Sequence, residues 1–570
     1  MSDLQYKNQL VERLYYVFSV LLLSGILGVI VSIIANYFVL VVRWFANLRT
    51  NSNDFFQFSG LSFSSIIWLF TAGFILYFIR NACNIDRWHG PADAVYASHR
   101  TDNELDLKRG VGSTFAALVS LSAGAPVGQY GPLVNFGASI ASFLSQITRV
   151  KMIPPDVLMS CGVAAAISAG FNAPIGGIIF AHEAVLRHFS LSALLPIAIA
   201  STVSAAFGTW AFGGAPLFSL SLDAPDLLPL LPSLVLSGFV FGIVALIYMR
   251  MIFMFAAMPA KSGIGYLPLA LIAALVTGAF GIFYPEVLGL GVDVIFSFIN
   301  DDLSVKLILV LLGLKILLTT LCIGFGVFGG VFSPALFIGA ATGQAMSNLL
   351  SQIYLFSPST VLAVSGMAAV AACVVGAPLA VVMIILELTM SYDYAIAALI
   401  STMVAVMVTN SLYGHSFFDK QLELRGIDLS QGRGNLELMG KKVDSILTQD
   451  YLTVFPEEKI GPAIKKMSLN GNSEAYCLDG EGRFLGKCML SNIVNTRRTA
   501  KIRDHLELNS TSIKSDASIM QAIEVASDFV GESIPVLSRV SGRLKGVVTE
   551  ADIFQAYMST QVKINDLERR

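Results

Sequence analysis

Two glycine–proline segments interrupt long apolar runs, and each is followed at a matching distance by a second paired block. The first segment is Gly128-Gln129-Tyr130-Gly131-Pro132, and the second is Gly330-Val331-Phe332-Ser333-Pro334, an offset of 330 − 128 = 202. Downstream, the block Asn172 to Glu183 (NAPIGGIIFAHE) matches Gly376 to Glu387 (GAPLAVVMIILE), an offset of 376 − 172 = 204. Two motifs in the same order at nearly the same offset make the apolar part of the chain an internal duplication. Duplicated apolar halves with broken helices mark a transporter or channel whose site lies between the repeats near mid-membrane.

Composition agrees. Of 570 residues 55% are hydrophobic and 13% charged, against about 25% charged in soluble domains. The expected fold class is a polytopic α-helical membrane protein with a soluble α/β tail. A net charge of −2 gives no electrostatic case for nucleic acid as a partner. Cysteines at 83, 161, 322, 373, 477 and 488 show no metal-ligand spacing and read as reduced core thiols, with no metal and no disulfide frame. Lys7 and Arg13 precede the first apolar stretch, Tyr15 to Val42, which argues for a cytoplasmic N-terminus. No nucleophile–base constellation points to an enzyme or a catalytic residue.

Apolar runs continue to about Leu412. Many, such as 157–169, 173–187 and 376–390, are shorter than the ~20 residues a perpendicular span needs. Short apolar helices separated by Gly and Pro fit partial or tilted spans packed inside protein. The membrane domain is expected over residues 1–420, with repeats at about 15–213 and 232–420. From Lys441 the chain reads as soluble and repeats again: the block Gly482 to Ile493 matches Gly542 to Ile553, an offset of 542 − 482 = 60. Each block reads as turn, strand and helix start, so two small modules, 441–500 and 501–560, are expected to pack together.

A bare ion at the bilayer centre faces a desolvation cost of tens of kcal/mol. A helix N-terminus lowers that cost without a full charge, because it carries roughly half a positive charge and free N–H groups. Glycine lets backbone approach a ligand, and proline fits the first helical turn. Both segments have this form, so two inward-facing N-termini would suit a halide. A single such segment would read as a packing kink; two at matched offset favour a site.

With these residues the chain resembles the CLC family of chloride channels and chloride/proton antiporters. Gly330 to Pro334 is similar to the family's GxFxP motif, Gly128 to Pro132 to its GxEGP motif, and Asn172 to Glu183 to the helix that follows. The likeness covers roughly residues 15–425, and the tail resembles a pair of CBS domains. The resemblance implies inverted-topology repeats, a homodimer in a lipid bilayer, and one chloride or similar anion path per subunit. It implies that Val331 and Phe332 give N–H groups to the central anion. Tyr130, Gln129 and Gly131 would border the outer path, and Phe418 and His89 the inner path.

The departures matter as much. Tyr130 stands where the family carries its gating glutamate, and Ala184 where antiporters carry an internal proton glutamate. His89 falls on the serine of the GSGIP segment, aligned with Trp88 to Asp93, and Phe418 on the pore tyrosine. A phenol, with a reference pKa of about 10, is a poor proton carrier near neutrality, although Tyr130 can plug a pore or donate to an anion. Passive anion conduction, gated at Tyr130, is therefore the leading expectation. A chloride/proton antiporter with a substitute carrier and a non-conducting anion or nucleotide sensor are the alternatives. His182 reads as a core histidine, and Glu183 and Glu387 as capping or bridging residues. Lys315 either raises the local positive potential or snorkels. In the tail, Thr549 and Asp552 fit a CBS nucleotide pattern, with Ser491 and Val494 at the corresponding places of the first copy. An adenine nucleotide site and a purely structural dimerisation role both stay open; no other cofactor is expected. The expected location is a bacterial inner membrane with both termini cytoplasmic.

Overall fold

Proline and glycine set the helix boundaries of the apolar unit. The structure, a computed structural model, describes residues 2–51, 57–58, 61–100, 102–147, 153–213, 226–300, 303–353, 356, 358–429, 432–508 and 510–569. The chain divides into two units, Met1–Gly426 and Ile427–Arg570.

The first half of unit one opens with α1 (Ser2–Asn51), a two-strand hairpin β1 (Gln57–Phe58) and β2 (Leu61–Ser62), and α2 (Ser64–Ala82). It continues through α3 (Pro91–His99), α4 (Leu107–Ser122), α5 (Tyr130–Ile147) and α6 (Pro155–Phe171). It closes with α7 (Pro174–Phe180), a π-helical turn over Ala181–Leu186, and α8 (Leu191–Phe212). The second half holds α9 (Leu227–Ser262), α10 (Tyr266–Phe283), α11 (Val292–Ile299), α12 (Val305–Gly324) and α13 (Phe332–Ser351). It ends with α14 (Ser359–Val375), α15 (Pro378–Thr389), α16 (Tyr392–Leu412) and α17 (Phe417–Glu423). Among the described residues, seven helices are long and apolar enough to cross a membrane; α6, α14 and α15 are shorter.

The duplication repeats in three dimensions. Helix α5 packs on α6 as α13 packs on α14; α1 packs on α6 and α8 as α9 packs on α14 and α16. Small residues set the close crossings. A Cβ on Gly137 would lie 2.2 Å from the Gly162 carbonyl, and one on Gly339 would lie 2.1 Å from the Gly366 carbonyl. These crossings admit no side chain, the packing that replaces hydrophobic association inside a membrane.

The breaks are also duplicated. Helix α6 stops at Asn172, left-handed at φ 54, and α14 stops at Gly376, φ 78. A proline then opens the next helix in each half, where its missing N–H costs nothing. Two carboxylates cap these helices across the repeat. Glu387 accepts from the N–H groups of Ile175 and Gly176, both at 2.8 Å. Glu183 accepts from Leu379 and Ala380 at 3.1 and 2.8 Å. The capping role expected from their positions is what the structure shows, and it ties α7 to α15.

Unit two begins with α18 (Gly432–Gly440) and contains two copies of one motif. The first has β3 (Thr453–Val454), α19 (Ile460–Asn470), β4 (Glu474–Leu478), β5 (Phe484–Met489) and α20 (Leu490–Ile493). The second has β6 (Ile513–Lys514), α21 (Ile519–Ser527), β7 (Ile534–Leu537), β8 (Leu544–Val548) and α22 (Glu550–Arg569). In each sheet the outer strand is parallel to the middle one, and the third is antiparallel. Each copy has its own core, one around Ile460, Cys477 and Cys488, the other around Ile513, Val536 and Val548. The copies also exchange edges: Thr448 pairs with Val547 and Glu507 with Lys487. A buried Lys487–Glu474 ion pair of 2.7 Å reaches the Ser533 carbonyl of the second copy.

The strand registers agree with the 60-residue offset of the matched blocks, and together they correct the places assigned in the first copy. Gly486 pairs with Cys477 and Gly546 with Val536, so β5 and β8 align at an offset of 60. Met489 and Asn492, rather than Ser491 and Val494, therefore occupy the places of Thr549 and Asp552.

Candidate functional site

The two Gly-Pro segments meet. Gly128 and Gly330 form an antiparallel bridge, each N–H donating to the other's carbonyl at 2.6 Å. The bridge holds the start of α5 beside the start of α13. A helix leaves its first N–H groups without intrahelical acceptors. At α13 these belong to Phe332 and Ser333, preceded by Val331 at the N-cap. Tyr248, a fully buried residue of α9, donates its hydroxyl to the Val331 carbonyl at 3.3 Å and fixes that peptide. Sequence reasoning missed Tyr248. The available signal was a phenol hydroxyl in an apolar helix, which must find an acceptor when buried.

These N-termini open on a cavity of about 240 Å³. Its wall includes Tyr130, Gly131, Val331, Phe332 and Phe418, five of the expected path residues. Its charged residues are Arg87 and Arg425, and no Asp or Glu lines it among the described residues. Asp93 stands behind the arginines, 2.7 Å from Arg87 and 2.9 Å from Arg425, so two cations share one carboxylate. Two helix N-termini and an excess guanidinium give this cavity a positive field.

An aromatic cluster closes one end. The Tyr130 ring stacks on Phe171 with centroids 3.6 Å apart, and Phe332 meets both rings edge-on at 5.7 and 5.2 Å. The Tyr130 hydroxyl donates to the Gly170 carbonyl at 3.4 Å. Phe171 also lines a second cavity of about 270 Å³, with Asn36, Arg43 and Asn172. A third, of about 480 Å³, is lined by Gln129 and by charges of both signs, Arg43 and Arg49 with Glu286 and Asp293. The cluster thus stands between the cavity of Val331 and a second, partly basic chamber.

Two expected path residues lie elsewhere. Gln129 opens on the third cavity. His89 does not line the cavity of Val331, although its neighbours Trp88 and Gly90 do. Its backbone N–H is bound by the Ser113 hydroxyl at 3.0 Å, and its Nδ1 is buried without a partner. The His182 Nδ1 lies 3.3 Å from the His188 carbonyl, and its Nε2 is buried without a partner. It therefore departs from a fully satisfied core histidine.

In unit two, Thr549 and Asp552 face each other. The Thr549 hydroxyl donates to the Asp552 carboxylate at 2.7 Å, and the Asp552 N–H donates back to that hydroxyl at 3.1 Å. This is a capping arrangement at the start of α22. Among the described residues no group of His, Cys, Asp and Glu is placed to hold a metal ion.

Known proteins resemble this chain in sequence and fold. The family model described as voltage gated chloride channel matches residues 69–410, and a CBS domain model matches 504–559. The H(+)/Cl(-) exchange transporter ClcA of Vibrio campbellii is 26% identical, over 71% of this chain and 89% of its own length. The crystal structure of a slow cyanobacterial Cl-/H+ antiporter has TM-score 0.64 at 19% identity, covering 71% of this chain and 97% of its own. A eukaryotic CLC transporter has TM-score 0.63 at 18% identity, covering 95% and 98%. With the family matched over more than half its length, and two anion-type helix N-termini joined at Gly128 and Gly330, this chain belongs to the voltage-gated chloride channel (CLC) family and carries a C-terminal CBS domain.

Proposed function

We propose that this chain moves chloride or a similar small anion across a membrane through the cavity at the N-termini of α5 and α13. The observation that carries this reading is the cavity wall: two helix N-termini and two arginines, with no carboxylate among the described residues. Val331 and Phe332 supply N–H groups to the anion, Gly131 borders it, and Phe418 forms the wall on the arginine side. Tyr130 gates the passage to the second chamber.

Exchange of the anion against protons stands first, supported by the exchanger names of the relatives. It requires a carrier other than a carboxylate at positions 130 and 184. Passive conduction, the leading expectation from sequence, is the second reading. It is favoured by Tyr130, a phenol in place of a carboxylate, and by Ala184, which has no ionisable side chain. Chloride and proton fluxes recorded together from proteoliposomes separate the two. Proton movement against chloride supports exchange, and chloride movement with a flat proton record supports conduction.

The remaining proposals are a homodimer, a bacterial inner-membrane location with both termini cytoplasmic, and the domain limits 1–420, 441–500 and 501–560. The CBS pair tunes transport, with Thr549 and Asp552 the place where an adenine nucleotide would grip.

A further inference from the structure

Two arginines in the wall of the Val331 cavity share one carboxylate behind it. Arg87, in the loop between α2 and α3, and Arg425, just beyond α17, both line the cavity. Asp93, on the first turn of α3, is buried. One oxygen of Asp93 takes both guanidiniums, Arg87 at 2.7 Å and Arg425 at 2.9 Å. Two like charges are thereby held within two hydrogen-bond lengths of each other. The other oxygen accepts from the Gly90 N–H at 2.9 Å, which fixes the carboxylate at the start of α3. Gly90 and Pro91 line the same cavity, so the clamp and the wall are one piece of backbone.

The charges do not cancel. A guanidinium stays cationic in a protein, and two of them against one carboxylate leave one positive charge on the cavity. Neighbouring acids are engaged elsewhere. On α17, Asp419 is held by Arg187, and Glu423 by Lys420 at 2.9 Å. Asp86, next to Arg87 in the chain, lines a different cavity with Arg80 and Arg109. Each guanidinium carries five N–H donors, more than one shared oxygen can take up. Without Asp93 the pair would present two charges in place of one. A path needs binding strong enough for entry yet weak enough for release.

We propose that Asp93 is a positioning residue of the anion path: it clamps Arg87 and Arg425 side by side to receive the anion, and it cancels one of their two charges so that the anion can leave. This rests on the anion-transport reading above.

The test is the chloride concentration dependence of flux in proteoliposomes, with the melting temperature measured alongside. Wild-type protein that carries no chloride removes the transport reading, and this inference with it. Given wild-type flux, Asp93→Asn keeps an oxygen for the α3 cap and removes the charge. It should lower half-saturating chloride by roughly five-fold and lower maximal flux, because release slows. A merely structural Asp93 gives the opposite sign, since loosened arginines bind the anion more weakly. Unchanged or raised half-saturation in folded Asp93→Asn overturns the proposal. Should that variant not fold, the half-exposed Arg87 decides. Arg87→Gln should raise half-saturating chloride by roughly five-fold, with Arg87→Lys within about two-fold of wild type. An unmoved half-saturation in Arg87→Gln, or a Lys variant as weak as the Gln variant, overturns the proposal.

Discussion

Gly128 and Gly330 hydrogen-bond to each other in both directions, 2.6 Å each way, although 202 residues (330 − 128) separate them. This one bridge brings the two halves of the duplication to a common point and sets both helix N-termini on one cavity. A Cβ on Gly330 would fall 2.9 Å from the Gly131 nitrogen. Gly330→Ala should therefore move α5 away from α13 and cut chloride flux at least ten-fold. Size-exclusion chromatography should still show folded protein. Flux close to wild type in that variant would remove the bridge from the transport account.

In the proposed path Tyr130 is the obstruction. Truncating it removes a stacked, almost fully buried ring. Tyr130→Ala should raise chloride flux by opening the passage toward the second chamber. The lost packing should also lower stability, by about 3–5 kcal/mol on the scale of aromatic-to-alanine changes in cores. A less stable protein with unchanged flux would make the ring a packing element and nothing more.

Glu183 and Glu387 do the same job in opposite halves, so they should cost the same to remove. Each accepts two N–H bonds at a helix start. Glu183→Ala and Glu387→Ala should each destabilise by about 1–2 kcal/mol, in the range of lost N-caps. Neither should alter any ratio of chloride to protons. Thermal melts in detergent, paired with flux ratios, check both halves of this prediction.

Asp552 has two candidate roles that mutation can separate. Asp552→Ala should destabilise the start of α22 by about 1 kcal/mol, because Thr549 loses its partner. If an adenine nucleotide also uses this carboxylate, calorimetry on the intact protein should show binding in wild type and none in the variant. Equal binding in both would place the nucleotide elsewhere.

Much of this was legible in the sequence because backbone breaks leave residue signatures. Gly-Pro pairs mark where helices stop and restart, and the repeated offset exposed the partnership of Gly128 with Gly330 and of Glu183 with Glu387. What stayed hidden depends on backbone acceptors. Tyr248 binds the Val331 carbonyl and Lys315 binds those of Val287 and Gly289, and any residue can offer a carbonyl, so no motif announces the pair. Phe171 could not be named as the stacking partner of Tyr130 without knowing how α6 crosses α5. His89 was aligned onto the path by its place in a segment, yet Ser113 holds its backbone and the cavity passes by its neighbours. In the tail, the matched blocks gave both the repeat and its phase: their offset of 60 already puts Met489 and Asn492 opposite Thr549 and Asp552, and the pairing of Gly486 with Cys477 and of Gly546 with Val536 agrees.

The most direct test of the central claim is chloride efflux from proteoliposomes loaded with chloride, with valinomycin added to clear the charge imbalance and proton movement recorded in parallel. The account predicts that chloride leaves at a rate well above protein-free vesicles and that Gly330→Ala nearly abolishes it. No efflux from folded wild-type protein under any gradient would contradict it.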